Sequence, residues 1–211
     1  MTIKVCGMRE PRNIKEILSS NPDFIGFIFY KDSKRLVNAE TLDYLENQKI
    51  SAKKVGVFVN HNIVEVISLV YKYNLDLVQL HGTEPIAYVQ ELCHSDISII
   101  KAFSIDKEFN WDSLSPYLDK VDYFLFDTAC STYGGSGIKF DWGILEEYKH
   151  DKPFFLSGGI SIKDTDELKA LNIPTLHAVD INSQFETEPG LKNHELVSSF
   201  LNNIRDDKLP S

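Results

Sequence analysis

Eight short apolar runs, separated by stretches whose apolar residues recur every three or four positions, divide this chain at regular intervals. The runs are IKVCG (3–7), FIGFIFY (24–30), KVGVFVN (54–60), LDLVQLHG (75–82), ISIIKAF (97–103), YFLFDT (123–128), FFLSGGI (154–160) and LHAVDINS (176–183). Their nearly unbroken apolar character indicates strands buried on both faces, as in parallel sheets. Helical patterns fall at 11–20, where Pro11 suits a first turn and Ile14, Ile17 and Leu18 share a face, and at 39–48, 63–73, 85–94, 142–149, 160–171 and 195–204. Only the stretch holding Trp111 and Pro116 lacks a helical pattern. With right-handed crossovers, such units close into an α/β fold of the (β/α)8 or TIM-barrel type more economically than they form a doubly wound open sheet. No linker or low-complexity tract interrupts the alternation, so a single barrel domain over 1–211 is expected.

In such a barrel the chemistry gathers where the strands end. At or near the ends of these runs stand Cys6, Tyr30, Asn60, His81, Phe103, Asp127, Ser157 and Ser183, polar or reactive in most cases, which is the pattern of an enzyme. A net charge of −9 argues against a nucleic-acid surface, which needs basic residues to replace condensed counterions. An anionic small molecule remains compatible, because a few local donors suffice to hold a phosphate. No segment approaches the roughly 18 continuous apolar residues of a membrane span, and MTIKVCGMRE lacks the apolar core of a signal peptide, so a cytoplasmic protein is expected. Cys6, Cys93 and Cys130 are odd in number and lack CxxC spacing, which indicates neither a disulfide framework nor a zinc site.

Gly158 and Gly159 lie between a strand and a helix, where missing side chains let backbone N–H groups approach an anion. VDINS (179–183) ends the next strand in small polar side chains. In a barrel these are the loops after strands 7 and 8, a recurrent phosphate site; the alternative is that the glycines only make a tight turn. Lys192 is placed to assist, or is a solvated surface charge. A thiolate serves as a base when donors or positive charge lower its pKa, and a carboxyl serves as an acid when apolar surroundings raise it. VDYFLFD gives Asp127 such surroundings. Read singly, Cys6 and Asp127 have commoner roles, a small buried side chain and a cap on the following loop.

The set becomes recognisable in order. KVCGMR (4–9), GFIFYKDSKRLV (26–37), VGVFVN (55–60), VQLHG (78–82), FDT (126–128) with GGSGIKFDW (134–142), LSGGI (156–160) and VDINSQFETEPGLK (179–192) closely resemble the phosphoribosylanthranilate isomerase family, from about residue 3 to residue 204. The resemblance implies an Amadori rearrangement in tryptophan biosynthesis. N-(5-phosphoribosyl)anthranilate opens its ribose ring and becomes 1-(2-carboxyphenylamino)-1-deoxyribulose 5-phosphate, with no metal and no redox cofactor. It implies Cys6 as general base and Asp127 as general acid. It points to Arg35 as the holder of the anthranilate carboxylate, which a guanidinium meets through two parallel hydrogen bonds. Without the resemblance Arg35 is a solvated charge beside Lys34. His81 matches an active-site histidine able to donate to the substrate, or is satisfied within its loop. Gly135, Ser136, Gly158, Gly159, Asp180, Asn182 and Ser183 match the ribose and phosphate region. The expected partner is a small phosphosugar, with no nucleic acid and no membrane, and the chain is a monomer or a homodimer.

Many family members read SSGVE where this chain reads NSQFE at 182–186, so Gln184 stands where a glycine is common. The stretch 129–133, with Cys130, matches no interpretable motif, and neither Cys93 nor Cys130 is given a role. A binding protein without catalysis is disfavoured because base and acid are both present. Barrel relatives acting on a histidine-pathway aminoaldose use a pair of aspartates, and Cys6 in place of the first argues against that substrate. A metal-dependent sugar-phosphate epimerase needs convergent His and Asp ligands, and only His81 is suitably placed.

Overall fold

The computed structural model describes residues 1–128 and 139–206. Eight parallel strands pair in sequence order: β1 (Thr2–Val5), β2 (Phe24–Ile28), β3 (Lys53–Phe58), β4 (Leu77–Leu80), β5 (Ser98–Ile105), β6 (Tyr123–Thr128), β7 (Phe154–Leu156) and β8 (Leu176–Ile181). β8 returns to β1, pairing Thr2 with Ala178 and Lys4 with Asp180, and closes the barrel. The expected architecture is therefore present.

Alternation along each strand explains the unbroken apolar runs, since both faces of the sheet are covered. Val55, Leu77, Ile100, Leu125, Phe155 and Ala178 fill the lower barrel interior, while Ile3, Val5, Ile25, Phe27, Phe124 and Val179 pack outward in the layer beneath the helices. The helices are α1 (Pro11–Leu18), α2 (Ala39–Asn47), α3 (Ile63–Tyr73), α4 (Ile86–Leu92), α5 (Thr165–Ala170) and α6 (His194–Arg205). Asparagines start three of them, because an Asn oxygen satisfies a first-turn N–H that has no partner within the helix. Asn38 accepts from Thr41 N at 2.8 Å, Asn62 from Val64 N at 2.9 Å and Asn193 from Leu196 N at 3.0 Å. In α6, Val197, Phe200, Leu201 and Ile204 form the buried stripe.

Two expected helices differ. Trp142–Glu147 is a 3-10 turn, with Gly143 near its start weakening helix propensity. The 160–171 helix divides into a 3-10 turn, Ile162–Asp164, and the short α5. Trp111–Tyr117, left unassigned from the sequence, is also a 3-10 turn, and it contains Pro116. A hairpin that the sequence pattern did not indicate, β9 (Glu186–Glu188) and β10 (Leu191–Lys192), follows β8.

The N-terminal end of the barrel repeats one device. Asp23, Asp76 and Asp122 each precede an even-numbered strand and accept from an N–H of the strand before it: Ile3 at 2.8 Å, Lys54 at 2.7 Å and Ile99 at 2.7 Å. No helix among the described residues is long and apolar enough to cross a membrane.

Candidate active site

A cavity of about 720 Å3, counted out to its open mouth, occupies the C-terminal end of the barrel. Cys6, His81, Asp127, Gly158, Gly159, Asp180, Asn182 and Ser183 all line it, with Gln79 and Ser157 between them and Ile28, Val57 and Ile160 as apolar wall. Arg35 is not in this lining. Gly135 and Ser136, like Cys130, lie outside the described residues.

Cys6 continues β1, its N–H donating to Ile181 O at 2.9 Å, and is 4% exposed. Its sulfur occupies space that Gly26 vacates on β2, since a Cβ there would lie 2.8 Å from Sγ. Below it, Lys4 is fully buried and donates to Asp180 Oδ2 at 2.7 Å. Burial pushes the Cys6 thiol above its ordinary value, Lys4 and Lys192 pull it back, and Asp180 pushes it up again. Burial alone would pull the Lys4 ammonium down, but Asp180 and Cys6 together hold its proton more tightly than a free amine does.

Asp127 is the penultimate residue of β6 and lines the same cavity. Its immediate setting is more polar than the apolar run around it suggests, because the carboxylate leaves the strand at the barrel rim. Oδ1 accepts from Thr128 N at 2.8 Å, and Oδ2 lies 3.3 Å from His81 Nε2. On the other side of the ring, Gln79 Nε2 is 2.7 Å from His81 Nδ1. With the amide nitrogen facing Nδ1, the neutral ring carries its proton on Nε2 and donates it toward Asp127. The loop after β4 is fixed from beneath: buried Lys101 donates to Gly82 O at 2.7 Å and to Glu84 Oε2 at 2.9 Å, and Glu84 accepts from Asn60 N at 2.8 Å.

Arg35, between β2 and α2, is not the solvated charge that its neighbour Lys34 suggests. Its Nε donates to Glu186 Oε1 at 2.8 Å and its Nη2 to Glu186 Oε2 at 2.6 Å. Glu186 also receives Lys192 Nζ and Gly190 N. Burial would raise the Glu186 carboxyl, yet Arg35, Lys192 and the Gly190 N–H bring it below its ordinary value. Lys192 is 2% exposed, with its ammonium 2.8 Å from Asn182 Oδ1, so it underpins the loop after β8 instead of facing solvent. Arg35 and Asn182 both crowd against Gly7.

The loop after β7 needs its glycines. Gly158 has φ +95°, and a Cβ there would lie 2.6 Å from Thr128 N and 2.9 Å from Asp127 Oδ1. Any side chain at 158 would press on the Asp127 carboxylate and on Thr128. Gln184 belongs to a 3-10 turn, Ser183–Phe185, and has no left-handed backbone, so its departure from glycine carries no conformational cost. The sequence reading missed Lys4, Gln79 and Glu186; the polar interruptions in KVCG and VQLHG were the available signal for the first two.

A family model for N-(5′-phosphoribosyl)anthranilate (PRA) isomerase matches residues 3–203. An N-(5′-phosphoribosyl)anthranilate isomerase of Parabacteroides distasonis is 44% identical over 206 residues, covering 97% of this chain and 93% of its own. The solved phosphoribosyl anthranilate isomerase from Thermotoga maritima matches with a TM-score of 0.85 at 30% identity, over 97% of this chain and 98% of that one. Another phosphoribosyl anthranilate isomerase, solved in complex with reduced 1-(o-carboxyphenylamino)-1-deoxyribulose 5-phosphate, matches with a TM-score of 0.82 at 27% identity over the same shares. With barrel, cavity and near-complete coverage in agreement, the chain belongs to the N-(5′-phosphoribosyl)anthranilate isomerase family.

Proposed function

We propose that this chain isomerises N-(5-phosphoribosyl)anthranilate to 1-(2-carboxyphenylamino)-1-deoxyribulose 5-phosphate, with Asp127 as general acid and Cys6 as general base. The observation that carries the assignment of roles is the convergence of Cys6 and Asp127 on one cavity from β1 and β6. Asp127 gives a proton to the furanose ring oxygen, and the C1′–O4′ bond breaks as the nitrogen lone pair forms C1′=N. Cys6, as thiolate, takes the proton from C2′ and leaves an enolamine. The enolamine tautomerises, the 2′-hydroxyl losing a proton and C1′ gaining one, to the 2′-ketone.

Each role has local support. The Thr128 N–H and His81 Nε2–H are placed to stabilise the carboxylate that Asp127 becomes once its proton has left. Cys6 rests as a thiol and must ionise before it acts, which makes the cations around it part of the chemistry. The loops bearing Gly158, Gly159, Asn182 and Ser183 supply backbone and side-chain donors for the 5′-phosphate. Asp180 Oδ1, buried and without a partner, is an acceptor for a ribose hydroxyl. Glu186 takes the Nε/Nη2 edge of Arg35, so the anthranilate carboxylate meets the guanidinium along its Nη1 side.

The test generates phosphoribosylanthranilate in situ and follows loss of its anthranilate fluorescence on addition of protein, with Asp127→Asn as the control. Rapid loss with the wild type alone supports reaction and acid together. No loss with well-folded protein removes the assignment.

A further inference from the structure

We propose that the buried pair Lys4–Asp180 sets the ionisation of Cys6, with Lys4 as a positioning residue for the base. This rests on the role given to Cys6 above. Lys4 stands two positions before Cys6 on the same face of its strand, so both side chains enter the barrel, one layer apart. The Lys4 ammonium donates to Asp180 Oδ2 at 2.7 Å across the seam, and Asp180 lines the same cavity as Cys6. Asp180 is committed through Oδ2 alone, its Oδ1 remaining buried without a partner.

The other charges around Cys6 are engaged elsewhere. On the β10 side, Lys192 is held by Glu186 and Asn182. After β2, Arg35 is held by Glu186. Across the cavity, Asp127 and His81 face one another from β6 and β4. Lys4 is the cation that shares the strand face of Cys6 directly beneath it, and Asp180 is the anion that tempers it. A buried ion pair contributes little to stability that a well-packed apolar pair would not. Placed beneath a thiol, it also acts on that thiol's charge.

The two halves of the pair must therefore act in opposite directions. Lys4→Met leaves Asp180 facing the sulfur and makes the thiolate harder to form. Asp180→Asn leaves Lys4 facing it and makes the thiolate easier to form. A pair that only held the strands together would shift both variants alike or neither.

The experiment measures the pH dependence of Cys6 alkylation by iodoacetamide without substrate, following the Cys6 peptide by mass spectrometry so that Cys93 and Cys130 do not contribute. The midpoint should rise by about one pH unit in Lys4→Met and fall by about one in Asp180→Asn, the lower range for a neighbouring charge. Shifts of the same sign, or no shift in either, overturn the proposal. If Lys4→Met shows no cooperative melt, Asp180→Asn decides alone: a fall supports, and an unchanged or raised midpoint overturns. The rising limb of kcat/KM against pH should follow the same order. Opposite thiol shifts in a protein that converts no phosphoribosylanthranilate would support this inference while removing the assigned reaction.

Discussion

At the N-terminal end of the barrel, Asp23, Asp76 and Asp122 each close off a strand N–H. At the C-terminal end, Gln79 Oε1, Thr128 Oγ1 and Asp180 Oδ1 are buried without partners, three of six such side-chain atoms among the described residues. Three strand junctions on one side thus end in satisfied polar groups, while three buried polar atoms on the other are left open. A buried polar atom without a partner costs about 1–3 kcal/mol. Two of these residues, Gln79 and Asp180, line the cavity, where a ligand can supply the missing bonds. One end is built to stay shut and the other to receive something.

That contrast predicts that substitutions separate by end. The largest effect belongs to Cys6→Ser and Asp127→Asn, each expected to lower kcat by at least about a hundredfold. Their urea midpoints should stay close to wild type, and a folded variant with near-full turnover would remove that residue from its role. Arg35→Ala comes next, with KM raised roughly tenfold to a hundredfold through loss of a charge-assisted contact and kcat changed far less. Equal losses in both constants would speak against carboxylate binding. At the opposite end, Asp122→Ala orphans the Ile99 N–H and should cost about 1–3 kcal/mol of unfolding free energy while leaving kcat/KM within about twofold. Activity lost in proportion would erase the distinction between the ends.

The smallest effect concerns pH. The folded Glu186 carboxyl titrates below its ordinary value of 4.5, so its contribution is fully present above that value and fades as pH falls through the folded one. Wild type should therefore lose stability relative to Glu186→Gln as pH falls from about 5 to about 3 in urea titrations. A difference constant over that range would mean that Glu186 is not held by Arg35 and Lys192 in solution.

The barrel was legible because burial on both faces writes a strand as an apolar run, and eight such runs carry the topology. The short 3-10 turns were not separable from helices, since one or two turns of either spacing place apolar residues alike, as at Trp142–Glu147. At the site, Cys6, Asp127 and Arg35 depended on resemblance, each having a plainer reading by itself. Lys4 and Glu186 escaped because their meaning lies in distant partners. Lys4 needs Asp180, 176 positions away, and Glu186 needs Arg35, 151 positions away, from within a hairpin too short to show a period. Lys192 was weighed as a surface charge because sequence does not reveal that the chain folds over it.

The seam between β1 and β8 gives the proposed base, Cys6, a place in folding as well as in chemistry. A chain whose first seven strands have already joined still lacks the contact that places Lys4 against Asp180 and the Cys6 N–H against Ile181 O. Closing a loop of that length is among the costlier entropic steps open to the chain, even though the cost grows only logarithmically. An open, curled sheet with every helix formed would look nearly native by circular dichroism and yet hold its thiol in the wrong field. Recovery of turnover during refolding would then time the closing of the ring, and the lag behind recovered helicity would be the lifetime of the unclosed sheet.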